Sequence, residues 1–250
     1  MRVPDKIAWH ISYKEKTTEK EAEYIAKILR KFIKRKSQIL EVACGNGRLH
    51  KILRKYFDVY GIDISKELIE EAKKKNRKFE ENYFIGDMRN FKIDKKFDAI
   101  FFWFTSFGYF NDKGNLETLK NANKHLKENG ILLLDIPNKN VKEKEVKRVD
   151  KFWLEYKEFV ELAKNNISKN AQTFWVIKQY FYKKRGKDLK FVKRSIKKVR
   201  IYSKKELNNL LKKANFRIIK IFESMTMKKA SENKSRQFLI VARKIGPAGI

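Results

Sequence analysis

The sequence has a single cysteine, and this scarcity excludes any disulfide bond within the chain. Proteins of a reducing compartment keep their few cysteines as thiols, so we predict a cytoplasmic location. Histidine is also scarce, with three residues in the chain. Zinc sites draw most of their ligands from cysteine and histidine, so we predict no bound metal.

Long apolar runs are missing as well. The longest one, residues 99–104, is far shorter than the roughly 20 residues that span a bilayer. The first residues show no basic stretch followed by an apolar segment and a cleavage site, so we predict neither a membrane span nor a secretory leader. In contrast, the 250 residues are 42% hydrophobic and 13% aromatic, which suits a folded domain with a sizeable core.

Acidic residues are half as frequent as basic ones, 30 against 61, and the difference is a net charge of +31. The excess is concentrated late in the chain: residues 141–250 hold 31 basic and 10 acidic residues, a net +21. Such a segment attracts nucleic acids and other polyanions. Lysine outnumbers arginine 47 to 14, however, and a lysine-rich composition is also typical of thermophile proteomes. Both explanations stay open.

Short apolar segments alternate with helical patterns from residue 18 to residue 138. The strand segments are too apolar for one face to be wet, which predicts an α/β fold with a parallel sheet covered on both sides. Two pairs, Thr18 with Glu21 and Ser203 with Glu206, have capping-box spacing and predict helix starts.

The pattern changes after residue 138. Residues 170–184 and 189–202 are typical of two strands, joined by the turn RGKD, although the second lacks clean alternation. We therefore predict a core of residues 1–140 and 203–245, an inserted basic antiparallel lobe of residues 145–202, and a loose tail of residues 246–250.

An acidic residue and two glycines follow the first predicted strand. Glu41 stands at its carboxyl end, and Gly45 and Gly47 allow a tight turn whose backbone can approach a ligand at the start of the next helix. The dinucleotide fingerprint GxGxxG needs a third glycine where this chain has His50. A nicotinamide cofactor is therefore disfavoured.

Carboxylates also end the next two strands. Asp63 lies 22 residues after Glu41, at the place where a carboxylate accepts the hydroxyl groups of a ribose. In GDMR, Asp87 can accept a hydrogen bond from an adenine amino group, and Met88 can pack on the ring. Three strand ends together predict an adenosyl ligand.

The ordered motifs EVACGNGR, GIDIS, GDMR, FDAIFFWFTSFGYF and GILLLDIPN resemble those of class I S-adenosylmethionine-dependent methyltransferases over nearly the whole chain. The resemblance is to small methyltransferases with an FTSFGYF-type segment and an inserted antiparallel lobe. It implies a Rossmann-like seven-stranded sheet in the order 3-2-1-4-5-7-6, with S-adenosylmethionine as methyl donor and S-adenosylhomocysteine as product.

The resemblance also implies which residues bind the cofactor. Glu41, Ala43, Gly45 and Gly47 would line its methionine part, Asp63 would bind the ribose, and Asp87 and Met88 would bind the adenine. The whole predicted set is Tyr13, Glu41, Ala43, Cys44, Gly45, Asn46, Gly47, Asp63, Ile64, Asp87, Met88 and Phe104. Cys44 fits a small packing residue better than a nucleophile.

Candidates for the acceptor side are Tyr109, Ser106 and His10. Tyr109 either donates a hydrogen bond to the substrate or packs its ring. His10 has the most suitable pKa for a base, yet a lone histidine in a terminal segment is more often incidental. Methyl transfer needs no base when the acceptor is a neutral amine, so the absence of a catalytic triad does not argue against an enzyme.

The predicted hairpin of residues 183–200 holds ten basic residues and one acidic residue, Asp188. It predicts either a docking surface for RNA or an acidic substrate, or a solvated face in a lysine-rich protein. The predicted function is methyl transfer to an N, O or C atom of a small or medium-sized molecule. The alternative is a tRNA or rRNA methyltransferase that docks through this lobe.

Overall fold

The structure is a computed structural model that describes residues 15–246, with side chains from residue 17. A seven-stranded sheet forms its centre. Its strands are β1 (Gln38–Val42), β2 (Asp58–Asp63), β3 (Tyr83–Ile85), β4 (Phe97–Phe102), β5 (Leu126–Pro137), β10 (Phe216–Glu223) and β11 (Gln237–Lys244). Their order is β3-β2-β1-β4-β5-β11-β10, and all run in one direction except β11, which is antiparallel to β5 and β10. This order, predicted from the resemblance, is confirmed.

Helices cover both faces of this sheet, as the apolar strands require. The helices are α1 (Glu15–Leu29), α2 (His50–Leu53), α3 (Lys66–Lys75), α4 (Asp112–His125), α5 (Lys139–Arg148) and α6 (Lys204–Lys213), with a 3-10 helix at Arg77–Asn82. Neighbouring residues of β1 show the two faces: Ile39 packs in the cluster under α1, and Leu40 packs in the cluster under α4 and α6. Both are fully buried, which is why the strand sequence lacks alternation.

One of the two predicted capping boxes is present. The Ser203 hydroxyl accepts from the Glu206 backbone N–H, and the Glu206 carboxylate accepts from the Ser203 N–H at the start of α6. The box predicted at Thr18 is wrong because α1 already runs from Glu15. The Glu21 carboxylate instead accepts hydrogen bonds from Arg48 and Trp103, which tie α1 to the turn after β1 and to the end of β4.

A second, four-stranded antiparallel sheet follows α5. Its strands are β6 (Lys151–Glu155), β7 (Phe159–Lys169), β8 (Thr173–Arg185) and β9 (Asp188–Arg200), in sequential order. The predicted strands of the lobe correspond to β8 and β9, and Gly186, with φ +60°, makes the turn between them. Sequence analysis missed α5, β6 and β7. The division of the chain into domains at residues 140, 145 and 202 stays a prediction.

The side chain of Arg200 joins the second sheet to the first. It is buried at the end of β9 and donates to the carboxylates of Asp112 at the start of α4 and Glu206 at the start of α6. It also donates to the carbonyl oxygens of Thr173 and Ile201. One guanidinium therefore fixes the end of β9 against two helix starts of the core. None of the helices in residues 15–246 is long and apolar enough to cross a membrane.

Candidate active site

The turn after β1 is built from residues in the left-handed region. Ala43, Gly45 and Gly47 have φ values of 61°, 57° and 66°. A Cβ atom on Gly47 would stand 2.7 Å from the Tyr83 hydroxyl oxygen, so no larger residue fits here. The turn thereby brings bare backbone to the carboxyl edge of the sheet, where open α/β sheets bind their ligands. Asn46 is buried within it, and its Oδ1 has no hydrogen-bond partner among the described residues.

Asp63 holds this turn from the end of β2. Its Oδ2 accepts from the Gly45 N–H at 2.9 Å, and its Oδ1 accepts from the Ser65 N–H at 2.8 Å. Burial raises the pKa of Asp63, and backbone hydrogen bonds from Ser65, Gly45 and Ile64 partly offset the rise. A carboxylate has about four lone-pair sites, so the group has the capacity to accept a further hydrogen bond from a ligand hydroxyl. Ile64, also in the predicted cofactor-binding set, follows Asp63 in the chain and is half-buried.

Glu41 and His50 form a buried pair behind the turn. The His50 Nε2 lies 2.9 Å from the Glu41 Oε2, and the His50 Nδ1 lies 3.0 Å from the Tyr83 hydroxyl. Burial raises the pKa of Glu41 to about 8 and lowers that of His50 to about 3. A Cβ atom on Gly61 would stand 2.6 Å from the His50 ring, so Gly61 makes the space for it.

His50 occupies the position of the third glycine of the dinucleotide fingerprint, and its ring also contacts Glu41 and Tyr83. The sequence showed its position in the motif, but nothing in the sequence indicated that its ring would contact Glu41. Cys44 is buried in the same region, in a cluster with Ile69 and Tyr83. Burial raises the pKa of the Cys44 thiol, and the Asp63 carboxylate adds to the rise, so the thiol stays protonated.

Asp87 and Met88 follow β3, and their side chains have different surroundings. The Asp87 carboxylate accepts from the backbone N–H, the Nε and the Nη2 of Arg89, and these hydrogen bonds hold its pKa below the usual range. The Arg89 guanidinium also lies 4.3 Å from the centre of the Phe110 ring. Met88 is buried in the main core cluster.

The chain after β4 bends sharply at the same edge of the sheet. Phe104 and Thr105 have φ values of 53° and 60°, and the buried Ser106 hydroxyl lies within 3.5 Å of the Val42 carbonyl oxygen. Asp135 lies near the end of β5 and is almost fully buried, and burial raises its pKa to about 6. Its Oδ1 has no hydrogen-bond partner among the described residues. Sequence analysis missed Asp135, although an acidic residue ending an apolar strand is the signal that identified Asp63.

Tyr109 lies between these groups and the second sheet. Burial, together with the nearby charge of Asp63, raises the pKa of Tyr109 to about 12, so its hydroxyl is neutral at physiological pH. Its side chain borders a cavity of about 360 Å³ between the edge of the seven-stranded sheet and the four-stranded sheet. The lining residues are Phe104, Thr105, Tyr109, Pro137, Lys142, Trp175, Ile177, Lys197, Val199, Arg236 and Gln237. His10 and Tyr13 lie outside the described residues.

The structure thus brings most of the predicted residues to one edge of the sheet. Residues 13–221, most of the chain, match the sequence profile of a family described as methyltransferase domain. This chain belongs to that family. Among curated relatives, the putative methyltransferase YqeM of Bacillus subtilis is 36% identical over 105 residues, 40% of this chain and 42% of the relative.

A sugar-modifying enzyme is among the other relatives. The dTDP-3-amino-3,4,6-trideoxy-alpha-D-glucopyranose N,N-dimethyltransferase of Streptomyces venezuelae is 30% identical over 117 residues, 46% of this chain and 48% of the relative. The matches thus span less than half the length of these curated relatives.

Solved structures share the fold over nearly the whole chain. An S-adenosylmethionine-dependent methyltransferase from Clostridium acetobutylicum has a TM-score of 0.80 at 21% identity and covers 92% of each chain. The amino pentose methyltransferase CalS10 from Micromonospora echinaspora, solved with S-adenosylmethionine bound, has a TM-score of 0.71 at 15% identity and covers 98% of this chain and 99% of its own. The predicted class I S-adenosylmethionine-dependent methyltransferase domain, with its cofactor, is therefore confirmed. The roles of the individual residues stay predictions.

Proposed function

We propose that the chain transfers a methyl group to an N, O or C atom of a small molecule held between the sheet edge and the second sheet. The observation that carries this proposal is the cavity of about 360 Å³ beside Phe104 and Tyr109. Its size is in the range of small-molecule sites, and it adjoins the edge where the cofactor-binding motifs meet.

The residues present fit the cofactor. The left-handed backbone at Ala43, Gly45 and Gly47 leaves room for a ligand to lie against the turn. The Asn46 Oδ1, which has no partner in the described part of the chain, can accept a hydrogen bond there. Asp63 would accept the ribose hydroxyl groups. When bound, S-adenosylmethionine supplies a methyl group on a positively charged sulfur, from which an in-line acceptor atom can take it.

The chain itself contributes alignment and exclusion of water rather than a strong base. Tyr109 keeps its proton, so its hydroxyl can donate a hydrogen bond to the acceptor and orient the attacking atom. Ser106 supports the bend from beneath through its contact with the Val42 carbonyl. With Phe104 they form the floor between donor and acceptor. The curated relatives include two Streptomyces enzymes named as N,N-dimethyltransferases of dTDP-amino sugars, which supports a small acceptor such as an amine.

Cofactor binding is tested by the melting temperature with and without S-adenosylhomocysteine. We expect a stabilising shift in the wild type and none in Asp63→Asn, which keeps one acceptor oxygen for one of the two backbone N–H groups and lacks the charge. Asp94→Ala, a substitution of an exposed aspartate, is the matched control and should retain the shift. A wild-type protein that shows no shift would refute the proposal.

The acceptor class is tested by transfer of labelled methyl groups to fractions of a cell extract. We expect label in the low-molecular-weight fraction and a loss of at least tenfold in Tyr109→Phe. Label found only in RNA, with binding that survives about 200 mM salt, would favour the RNA-directed alternative. That alternative is suggested by the charge of residues 183–200, and no relative named above supports it.

A further inference from the structure

The cavity of about 360 Å³ beside Phe104 and Tyr109, called the acceptor cavity from here on, has several cations in its wall. Lys142, Lys197 and Arg236 contribute to its wall, and none of its lining residues within the described part of the chain is Asp or Glu. The other lining side chains are aromatic, aliphatic or neutral. A concave site with low-dielectric walls and charge of one sign concentrates ligands of the opposite sign.

Two of these cations share one carboxylate. Glu145 of α5 accepts from the Lys142 Nζ at 2.7 Å and from the Arg236 Nε. Burial opposes ionisation of Glu145, but the hydrogen bonds from Lys142 and Arg236 outweigh it and lower its pKa. One negative charge between two positive ones leaves a net positive charge. The Lys142 Nζ also lies 4.4 Å from the centre of the Trp175 ring, which holds it at the cavity wall.

Lys197 is the most unusual of the three. It is half-buried on β9, and no carboxylate of the described residues lies within ion-pair distance of its Nζ. Glu161 is near enough to influence it, but the Glu161 oxygens already accept from Tyr156 and Gln179. Burial of the ammonium group lowers the pKa of Lys197. An unpaired, half-buried cation in a cavity gains strongly from an anionic ligand.

The positive charge extends away from the sheet edge. A neighbouring cavity of about 600 Å³ shares Lys142, Trp175 and Arg236 with the first one, and adds Lys144, Arg148 and the carboxylate of Glu145, so four cations face one anion there. The bend at Phe104 and Tyr109 borders only the first of these two cavities. A ligand can therefore place one end at the bend and a charged end among the cations.

We propose that the methyl acceptor is a small anionic molecule whose phosphate or carboxylate group binds Lys142, Lys197 and Arg236. Its reacting atom then faces Tyr109 and Phe104. This inference rests on the proposed function and specifies the substrate class of the same site. The acceptor would therefore carry a negative charge several bonds away from the atom that is methylated.

The proposal is tested by calorimetric titration of the protein, saturated with S-adenosylhomocysteine, with inorganic pyrophosphate and separately with citrate at constant ionic strength. We expect at least one anion to bind with one-to-one stoichiometry. Lys197→Gln and Arg236→Gln should each weaken that binding about tenfold, the loss typical of one charged hydrogen bond. Tighter binding of pyrophosphate assigns a phosphate group to the acceptor, and tighter binding of citrate assigns a carboxylate.

Lys190→Gln is the matched control, because Lys190 is an exposed lysine of the same strand and borders neither cavity. It should change the affinity less than twofold. Equal losses in Lys190→Gln and Lys197→Gln would overturn the proposal, since they would show attraction by overall charge. So would the absence of anion binding in a protein that binds S-adenosylhomocysteine. Loss of S-adenosylhomocysteine binding itself is read in the same instrument and contradicts the proposed function instead.

A second measurement separates the acceptors by charge. Labelled methyl groups are transferred to a low-molecular-weight extract, which is then passed over an anion-exchange resin. We expect the labelled product in the retained fraction, and less of it when pyrophosphate is added to the reaction. Label confined to the flow-through would overturn the proposal even if transfer is efficient.

Discussion

The carboxyl edge of the seven-stranded sheet and the four-stranded sheet face each other across one cavity, but they are built differently. The edge buries its acidic groups: Glu41, Asp63 and Asp135 are nearly inaccessible and all have raised pKa values. The four-stranded sheet leaves large apolar side chains in water, with Trp153 62% and Phe191 53% exposed. The four-stranded sheet also contains buried polar contacts, such as that from Gln179 to Glu161, but it exposes more large apolar side chains than the edge does.

The net charge also differs between the two parts of the chain that contain most of these two regions. Residues 41–140 hold 19 basic and 15 acidic residues, a net +4, against +21 for residues 141–250. The nearly neutral region supplies the turn, the carboxylates and the bend expected to bind a cofactor common to many enzymes. The basic region supplies Lys142, Lys197 and Arg236 to the acceptor side. The cations on the acceptor side therefore come from a different part of the chain than the carboxylates expected to bind the cofactor, although Phe104 and Tyr109 of residues 41–140 also border the acceptor cavity.

The largest effect on stability is expected at the tightly packed edge, from Gly61→Ala. The new Cβ would lie 2.6 Å from the His50 ring and 2.7 Å from the Cys44 Sγ, so the variant should lose about 3 kcal/mol of unfolding free energy. Urea unfolding measures the loss, and the same change in a His50→Ala background should cost about half as much. Gly246→Ala, where nothing lies within 4 Å, is the control. Equal costs at both glycines would contradict the packing described here.

A smaller loss, about 2 kcal/mol, is expected where the two regions join, from Arg200→Met. The change removes charged hydrogen bonds to Asp112 and Glu206, although both carboxylates are partly exposed and regain water. Hydrogen exchange should rise in β8 and β9 more than in β1 and β4. Arg194→Met, on the exposed part of the same strand, should cost less than about 0.5 kcal/mol. Uniform exchange across both sheets would show that they unfold as one unit.

The Glu41–His50 pair is expected to make stability depend on pH. With a pKa of about 8 for Glu41 and about 3 for His50, the folded pair holds one proton between these values. The unfolded pair, with ordinary pKa values of 4.5 and 6.5, holds one proton between pH 4.5 and 6.5 and none at higher pH. From pH 6.5 to 8 the folded state therefore binds more protons, and the pair's contribution falls by about 1 to 2 kcal/mol as pH rises.

Urea unfolding at pH 6.5 and pH 8 checks this dependence. Glu41→Gln removes the group with the raised pKa, so its stability should change less over that range than that of the wild type. Identical changes in both proteins would show that the pair does not titrate as described.

The smallest effect is expected on the surface of the four-stranded sheet, from Lys184→Gln. Lys184 pairs with Glu155, which is more than half exposed, so the loss should stay below about 0.5 kcal/mol. A double-mutant cycle with Glu155→Gln measures the coupling directly. A coupling above 1 kcal/mol would mean that surface ion pairs contribute to this sheet as buried contacts do to the edge.

Sequence analysis predicted the core well because its signals are local. The apolar segments, the glycines of the turn and the Ser203 capping box each depend on residues close together in the chain, and the structure confirms them. Of the four strands of the second sheet, only β8 and β9 were predicted from the sequence. In β7, FVELAKNNISK, lysine and asparagine interrupt the apolar residues, so the strand lacks a local signal and is recognised only through its pairing with β6 and β8.

By itself, the sequence determined the strand order of the core, through the resemblance, and the clustering of Glu41, Asp63 and Asp87 at successive strand ends. The Ser65 partner of Asp63 and the Arg89 partner of Asp87 are only two residues away in the sequence. The tertiary structure alone decided the more distant partners: His50 for Glu41 and the Gly45 N–H for Asp63. It also decided which of the many lysines border the acceptor cavity. Burial and distance depend on how remote segments pack, and every lysine looks alike in the sequence until strand register places it toward the cavity or toward water.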